Sequence, residues 1–427
     1  MYSFALSVRT RLSRLGSARS SNASVGFAVG SGGEAARKVV LDELRDRIRS
    51  TIERTAQRAG PPPIETADLP FSTVETSDGP LHVRTQRLSA AHRTGRVPIA
   101  CGVEADADLI ALLALDPAFA RCDFRQALFL DTETTGLAGG TGTVAFLVGL
   151  AWWESGATLV LEQLLVRSLG QEAPMLRRVH ARVAAASTLV TFNGKSFDMP
   201  LLRTRFVMAR MQPLSEPPHL DLLHLARRIH GKRIPQGCRL VALERALLGF
   251  ERVDDVASGD VSALYLHFLR TGDSRALMGV IDHNAWDVVA MAALLGLYGA
   301  PLESGLAADD LAGVARAVHR AGALVLAGEF AQAAVERQAT AETLRTRGHI
   351  AKARGDRARA LADFEAHAAK VDDPSVRLEL AKLYEHWLRA PHRALEHVQR
   401  GTGESPDKTQ RRFERLERKT RQFKLDV

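Results

Sequence analysis

The spacing of apolar positions changes several times along the chain, and each change marks a different kind of element. Over 34–58, Val40, Leu44, Ile48 and Ile52 recur four apart, the period of one helix face, and Gly60 with the prolines at 61–63 ends that helix. Residues 61–125 alternate short extended pieces, such as 81–84, with polar segments, and read as an extended linker region. From 127 onward apolar runs at 127–131, 143–153 and 159–165 are separated by glycine-rich or charged turns, as in a meander of strands. Helical patterning at 171–185, an apolar strand at 188–192, a helix from Phe197 and a long helix over 275–298 follow. Strands and helices mixed in this way predict an α/β domain over 126–303.

Beyond 307 the pattern is wholly helical. Gly328/Ala333 and Gly355/Ala360 share one spacing, with Arg389/Ala394 in a third copy, and Arg-Ala-Leu recurs at 359–361 and 393–395. That interval matches tetratricopeptide-type helical hairpins, in which glycine permits the turn and alanine the close helix contact. The first interval, 328 to 355, is shorter than the second, so either a degenerate TPR-like repeat over 307–400 or a generic helical bundle fits. The tail 401–427 is basic, with Lys408, Arg411, Arg412, Arg415, Arg418, Lys419, Arg421 and Lys424 diluted by Glu414 and Glu417. It reads as a solvated helix or as a nucleic-acid contact.

Composition narrows the setting. A chain of 427 residues with net charge +8 favours a polyanionic partner, nucleic acid first. Cys101, Cys122 and Cys238 are far apart with no C-x-x-C pair, which argues for a reducing, cytoplasmic setting and against structural zinc. The apolar stretch 277–297 is interrupted by Asp282, His283 and Asp287, so no membrane partner is expected. Residues 1–33 carry Arg9, Arg11, Arg14 and Arg19 and no acid; a disordered basic arm or a transit peptide has this composition.

Three motifs carry chemistry. Asp131-Thr132-Glu133 follows the apolar run at 127–130, and strand alternation puts both acids on one face, where their repulsion calls for a cation. Asn193-Gly194-Lys195-Ser196-Phe197-Asp198 follows the strand at 188–192, with Asp198 in the first turn of the next helix. Gly194-Lys195-Ser196 imitates the end of a P-loop, but Leu189 stands where its first glycine belongs. The Gly139-Gly140-Thr141-Gly142 segment lacks the third glycine of a dinucleotide fingerprint and reads as a hairpin turn. Finally, His283 and Asp287 lie four apart on one helix face at the edge of its apolar side. Each motif alone has a structural reading: a turn entry, a dipole-complementing Asp, a helical His–Asp pair.

In this order the motifs resemble the DEDD superfamily of 3′→5′ exonucleases, and 127–301 is similar to the YprB-type ribonuclease-H-like family. That likeness also takes in the segment His219–Leu225, Cys238-Arg239-Leu240 before Leu243-Glu244, and Asp254-Asp255 before Gly259. It implies a ribonuclease-H-like mixed sheet flanked by helices, followed by the helical repeats. It also implies two Mg²⁺ or Mn²⁺ ions, about 3.5–4 Å apart in such nucleases, on Asp131, Glu133, Asp198 and Asp287, with Asp131 bridging. His283 would take the proton of the attacking water; it combines the side chain of His-type relatives with the spacing of Tyr-type ones. Thr134, Asn193 and Lys195 beside the strands, and Arg227, Arg228, Lys232 and Arg233 after the helix capped by Asp221, are candidates to hold a single-stranded DNA or RNA end. The expected activity is 3′→5′ exonuclease. The competing readings are a catalytically silent nucleic-acid-binding or assembly module that docks a protein partner on its repeats, and a ribonuclease-H-like endonuclease.

Overall fold

A computed structural model describes residues 69–136 and 141–425, together with Asp46, Arg47 and Ser50. The basic arm, most of the helix expected over 34–58, and Gly139 and Gly140 lie outside the described residues.

The sheet is built of β1 (Ser72–Thr76), β2 (Gly79–Leu88), β3 (Ala127–Thr134), β4 (Ala145–Glu154), β5 (Thr158–Leu165), β6 (Thr188–Thr191) and β7 (His219–Asp221). Their order across the sheet is β1-β2-β5-β4-β3-β6-β7. β1 to β5 pair antiparallel, whereas β3–β6 and β6–β7 are parallel. This is the mixed sheet expected from the sequence, and parallel β3 and β6 deliver their C-terminal ends to the same edge. The sheet does not start at 127, however. The β1–β2 hairpin, expected as linker, extends it by register pairs from His82↔Leu165 to Leu88↔Leu159. Its polar pattern belongs to an edge hairpin exposed on most of β1, so sequence pattern alone does not distinguish it from a loop.

Side-chain alternation along β3 divides two cores. Leu128 and Leu130 pack on one face with the helices Ala173–Ala185, Asp198–Met208 and Val261–Thr271, while Phe129 packs on the other. The long helix Arg275–Gly299 joins both: Ala276, Leu277, Val280 and Ile281 enter the first, and Val288 to Tyr298 the second. By length and mean hydropathy of 1.3 that helix is apolar enough to cross a membrane, but 83% of its apolar window is buried in the fold. Burying one such Leu or Phe side chain contributes about 1.5–3 kcal/mol. The segment at 99–113, also assigned to the linker, is core as well. Ile99, Ile110 and Leu113 are fully buried there, and Asp106 N–H donates to the Gly299 carbonyl at 3.3 Å.

The C-terminal part is a row of helical hairpins: Ala308–Arg320 with Leu324–Arg337, Ala341–Ala353 with Arg357–Ala368, and Pro374–His386 with Pro391–Gln399. The turn residues with left-handed φ are Gly322 (+90°), Gly355 (+85°) and Arg389 (+53°), at intervals of 33 and 34 residues. Five residues after each stands a fully buried alanine, Ala327, Ala360 or Ala394. The repeat is therefore regular, and the unequal interval read from Gly328 is a register error. Gly328 lies inside a helix, where Arg354 packs so closely that a Cβ would meet its Nη1 at 2.1 Å. The basic helix Pro406–Leu425 closes the row through buried Leu416. Arg415 and Lys419 pair with buried Glu385 at 2.8 and 2.9 Å, and Arg412 with Glu404 at 2.8 Å. Part of the tail's basic charge, read as a solvated helix or a nucleic-acid contact, is thus paired within the protein.

Candidate active site

The acids gather where β3 and β6 end. Asp131 and Glu133 project from one face of β3. Asp198 opens the helix after β6, where the Thr132 hydroxyl donates to its Oδ1 at 2.6 Å. Asn193 makes the intervening turn at φ +66°, a left-handed conformation asparagine tolerates. Asp221, at the end of β7, caps the helix Leu222–His230 and also accepts the backbone N–H of Asn193 (2.8 Å) and Lys195 (3.2 Å). It braces the turn that carries Asp198, as expected of a cap rather than a ligand.

Across the sheet face runs the long helix, bringing His283, Asn284 and Asp287 over β3 and β4. One carboxylate oxygen each of Glu133 and Asp287 and a ring nitrogen of His283 lie within 4.8 Å of one another. Asn284 Nδ2 donates to Asp131 Oδ2 at 2.8 Å, and its own Oδ1 accepts from Gln163 Nε2 at 3.0 Å. The approach needs Gly149 on β4, because a Cβ there would sit 2.5 Å from Asn284 Oδ1. Gln163 and Asn284 are both fully buried, and sequence reasoning missed both.

Burial and mutual repulsion govern the electrostatics. Burial first, then Asp287, Asp198 and Glu133, hold the Asp131 carboxyl well above its usual range. Glu133 is pushed up to about 8, by burial against the pull of His283 and with Asp287 and Asp198 adding to it. Burial lifts Asp198 to about 6 although the Thr132 bond opposes it. Burial alone would lower His283, but Asp287, the bond to Asp255 and Glu133 outweigh it and raise the ring to about 10. A set of oxygen donors that cannot all ionise together fits a hard divalent cation, which would remove the repulsion.

Sequence reasoning also gave no role to the residues behind His283 and Asp287. Asp255 Oδ1 meets His283 Nδ1 at 2.7 Å, and Arg252, on an irregular segment, pairs with Glu244, Asp255 and Asp287. The groove over the site has two arms. One is lined by Thr134, Thr143, Ser196, Phe197 and Leu201, the other by Arg227, Gln236, Arg239 and Leu240; Asp131, Phe192 and Asn193 border both. Of the proposed phosphate ligands, exposed Arg227 faces the groove. Lys195 and Lys232 are exposed but line neither arm. Arg228 instead donates to the Leu113 carbonyl at 3.0 Å, and Arg233 pairs with Asp310 at 3.1 Å.

Sheet order and helix placement are those of a ribonuclease-H-like domain, and residues 128–298 match the model of the RNase H superfamily. The uncharacterized protein YprB of Bacillus subtilis (strain 168) is 37% identical over 168 residues, 39% of this chain and 40% of that protein. The chain thus spans less than half the length of this relative.

Proposed function

We propose that this protein is a divalent-metal-dependent 3′→5′ exonuclease acting on single-stranded nucleic-acid ends. The observation that carries the reading is the convergence of buried Asp198 with half-buried Asp131, Glu133 and Asp287, three of the four carboxyls pushed up, at one sheet edge beneath an open groove. These four would hold Mg²⁺ or Mn²⁺. Ions so placed lower the pKa of water and offset the charge of a phosphodiester. Asn284 leaves Asp131 Oδ1 for such a ligand by taking Oδ2. His283 presents Nε2 towards Glu133 and Asp287, at 3.8 and 3.7 Å, while Nδ1 is held by Asp255. Among carboxylates alone the ring stays protonated, so accepting a proton requires the positive charge of bound cations beside it. Phe197, 55% exposed at the groove lip, offers a ring on which an unpaired base can stack.

The test is degradation of 3′- and 5′-labelled single strands, and of a closed single-stranded circle, with Mg²⁺, Mn²⁺ or Ca²⁺. Mononucleotides released from the 3′ end with Mg²⁺ or Mn²⁺, and an intact circle, are expected. A cleaved circle would overturn the exonuclease reading in favour of an endonuclease.

A further inference from the structure

Arg252 brings a buried guanidinium to this site. Its side chain is 1% exposed, and that of its partner Glu244 is fully buried. Arg252 Nε and Nη2 each donate to a Glu244 oxygen at 2.7 Å, a two-pronged grip that fixes the guanidinium plane. From that anchor Nη2 donates to Asp287 Oδ1, and Nη1 donates to Asp255 Oδ2 at 3.3 Å. The free ends of both acids point at one ring: Asp255 Oδ1 bonds His283 Nδ1 at 2.7 Å, and Asp287 Oδ2 lies 3.7 Å from Nε2. Each carboxylate therefore spans from Arg252 to His283, and the indole of Trp286 flanks the guanidinium with its centroid 5.7 Å away.

We propose that Arg252 is a positioning residue: anchored on Glu244, it occupies one oxygen of Asp287 and one of Asp255, and so fixes which Asp287 oxygen and which His283 nitrogen face the metal and substrate. The alternative, a guanidinium competing with the metal for Asp287, conflicts with its anchoring. Glu244 holds two of its donors, and only Oδ1 of Asp287 is engaged. Groups that orient metal ligands from behind typically carry 10–100-fold in affinity or activity. The proposal rests on the metal reading above.

The test titrates the full chain with Mn²⁺ by calorimetry, alongside melting and single-turnover cleavage, for wild type, Arg252→Lys and Glu244→Gln. Lysine keeps the charge but cannot span three carboxylates with one fixed plane. Arg252→Lys should weaken the Mn²⁺ Kd about 10–100-fold and lower turnover comparably, with KM for the oligonucleotide unchanged. Glu244→Gln should shift both the same way, by less, since an amide oxygen still accepts one of the two bonds. If Arg252→Lys does not fold, Arg252→Met combined with Glu244→Leu removes the buried pair together, an exchange folds often tolerate, and the loss of Mn²⁺ affinity should persist. A variant with lower Tm but parental Kd and turnover would make Arg252 structural, and a tighter Kd would make it a competitor; either overturns the proposal alone. A wild-type protein that binds no Mn²⁺ overturns the metal reading and this proposal with it.

Discussion

His230 and His283 are each buried against an aspartate, and the two solve the problem differently. At the seam between the sheet domain and the first helical hairpin, His230 uses both ring nitrogens: Nδ1 meets Asp310 at 2.9 Å and Nε2 the Tyr298 hydroxyl at 3.0 Å. Arg233 adds a second partner to Asp310 at 3.1 Å. At the carboxylate edge, His283 Nδ1 meets Asp255 at 2.7 Å, but Nε2 stands 3.8 and 3.7 Å from Glu133 and Asp287, beyond hydrogen-bond length. A buried ionisable group whose polar atoms are all engaged holds structure together. One aimed at a cluster of like charges with an atom unengaged is placed for chemistry. The seam is settled by its own residues, whereas the carboxylate edge is complete only with added positive charge.

The largest expected effect breaks the carboxylate edge itself. Asp131→Asn should reduce turnover by at least about 10³-fold, the scale on which loss of a central electrostatic group is felt. Without metal, the same variant should melt at or above the wild-type temperature, because an amide carries none of the cost of ionising a carboxyl among the other acids. The pH dependence follows from the same cluster. Glu133 (about 8) and Asp198 (about 6) stand above their unfolded values, and so does His283 (about 10). Each therefore contributes stability that is full below its unfolded pKa and is lost as pH rises through the folded one. Metal-free wild type should lose melting temperature steadily between about pH 5 and 8, and Mn²⁺ should stabilise it more as pH rises. A flat metal-free profile, measured by calorimetry in chelator, would show that neither burial nor mutual repulsion raises these acids.

Exchanging the two histidines for alanine sharpens the contrast. His283→Ala should slow single-turnover cleavage by roughly 10²–10⁴-fold, the contribution of a positioned acid–base group, and with Mn²⁺ present to supply the positive charge that the ring gives the acids, melting should change little. His283→Tyr should recover part of that rate. His230→Ala should leave cleavage near parental but lose about 1–3 kcal/mol, because it orphans the buried Tyr298 hydroxyl. That corresponds to several degrees in Tm. If the two variants behave alike, by slowing cleavage or by melting early, the distinction drawn from their hydrogen bonds fails.

The same contrast explains what was legible in the sequence. Asp131, Glu133, Asp198 and Asp287 announce themselves because each breaks an apolar run at a strand end or on a helix face, a local signal. Gln163 gives none: it sits among leucines on β5, and its reason for being there is Asn284, 121 residues away. Glu244 and Asp255 entered only through the family likeness, with no role, and Arg252 not at all, because what ties them to the site is their packing against His283 and Asp287, distant in sequence. In the repeats the period was visible but the register was not, because Gly322 and Gly328 look alike until φ tells the turn from the helix. The β1–β2 hairpin was hidden by its exposure.

The smallest effect separates the groove from the tail, both basic, only one of which adjoins the acids. Exposed Arg227 and Arg239 line the groove arm that contains His283 and Asp287. In the tail, Arg412, Arg415 and Lys419 are held by Glu404 and Glu385, whereas Lys408, Arg411 and Arg418 are exposed. Deleting 401–427 is a poor probe because it also strips buried Leu416 from the last hairpin. Point substitutions keep that packing. If the groove carries the strand, Arg227→Gln with Arg239→Gln should flatten the slope of log K against log salt by about 0.7 for each phosphate no longer neutralised, so about 1.4 for the pair. Lys408→Gln with Arg411→Gln and Arg418→Gln should leave the slope where it was. Fluorescence anisotropy with a short single strand in Ca²⁺, over a salt series, reads both. A tail variant that flattens the slope as much as the groove variant would mean that nucleic acid runs along the last helix as well, and that the row of hairpins is part of the substrate path.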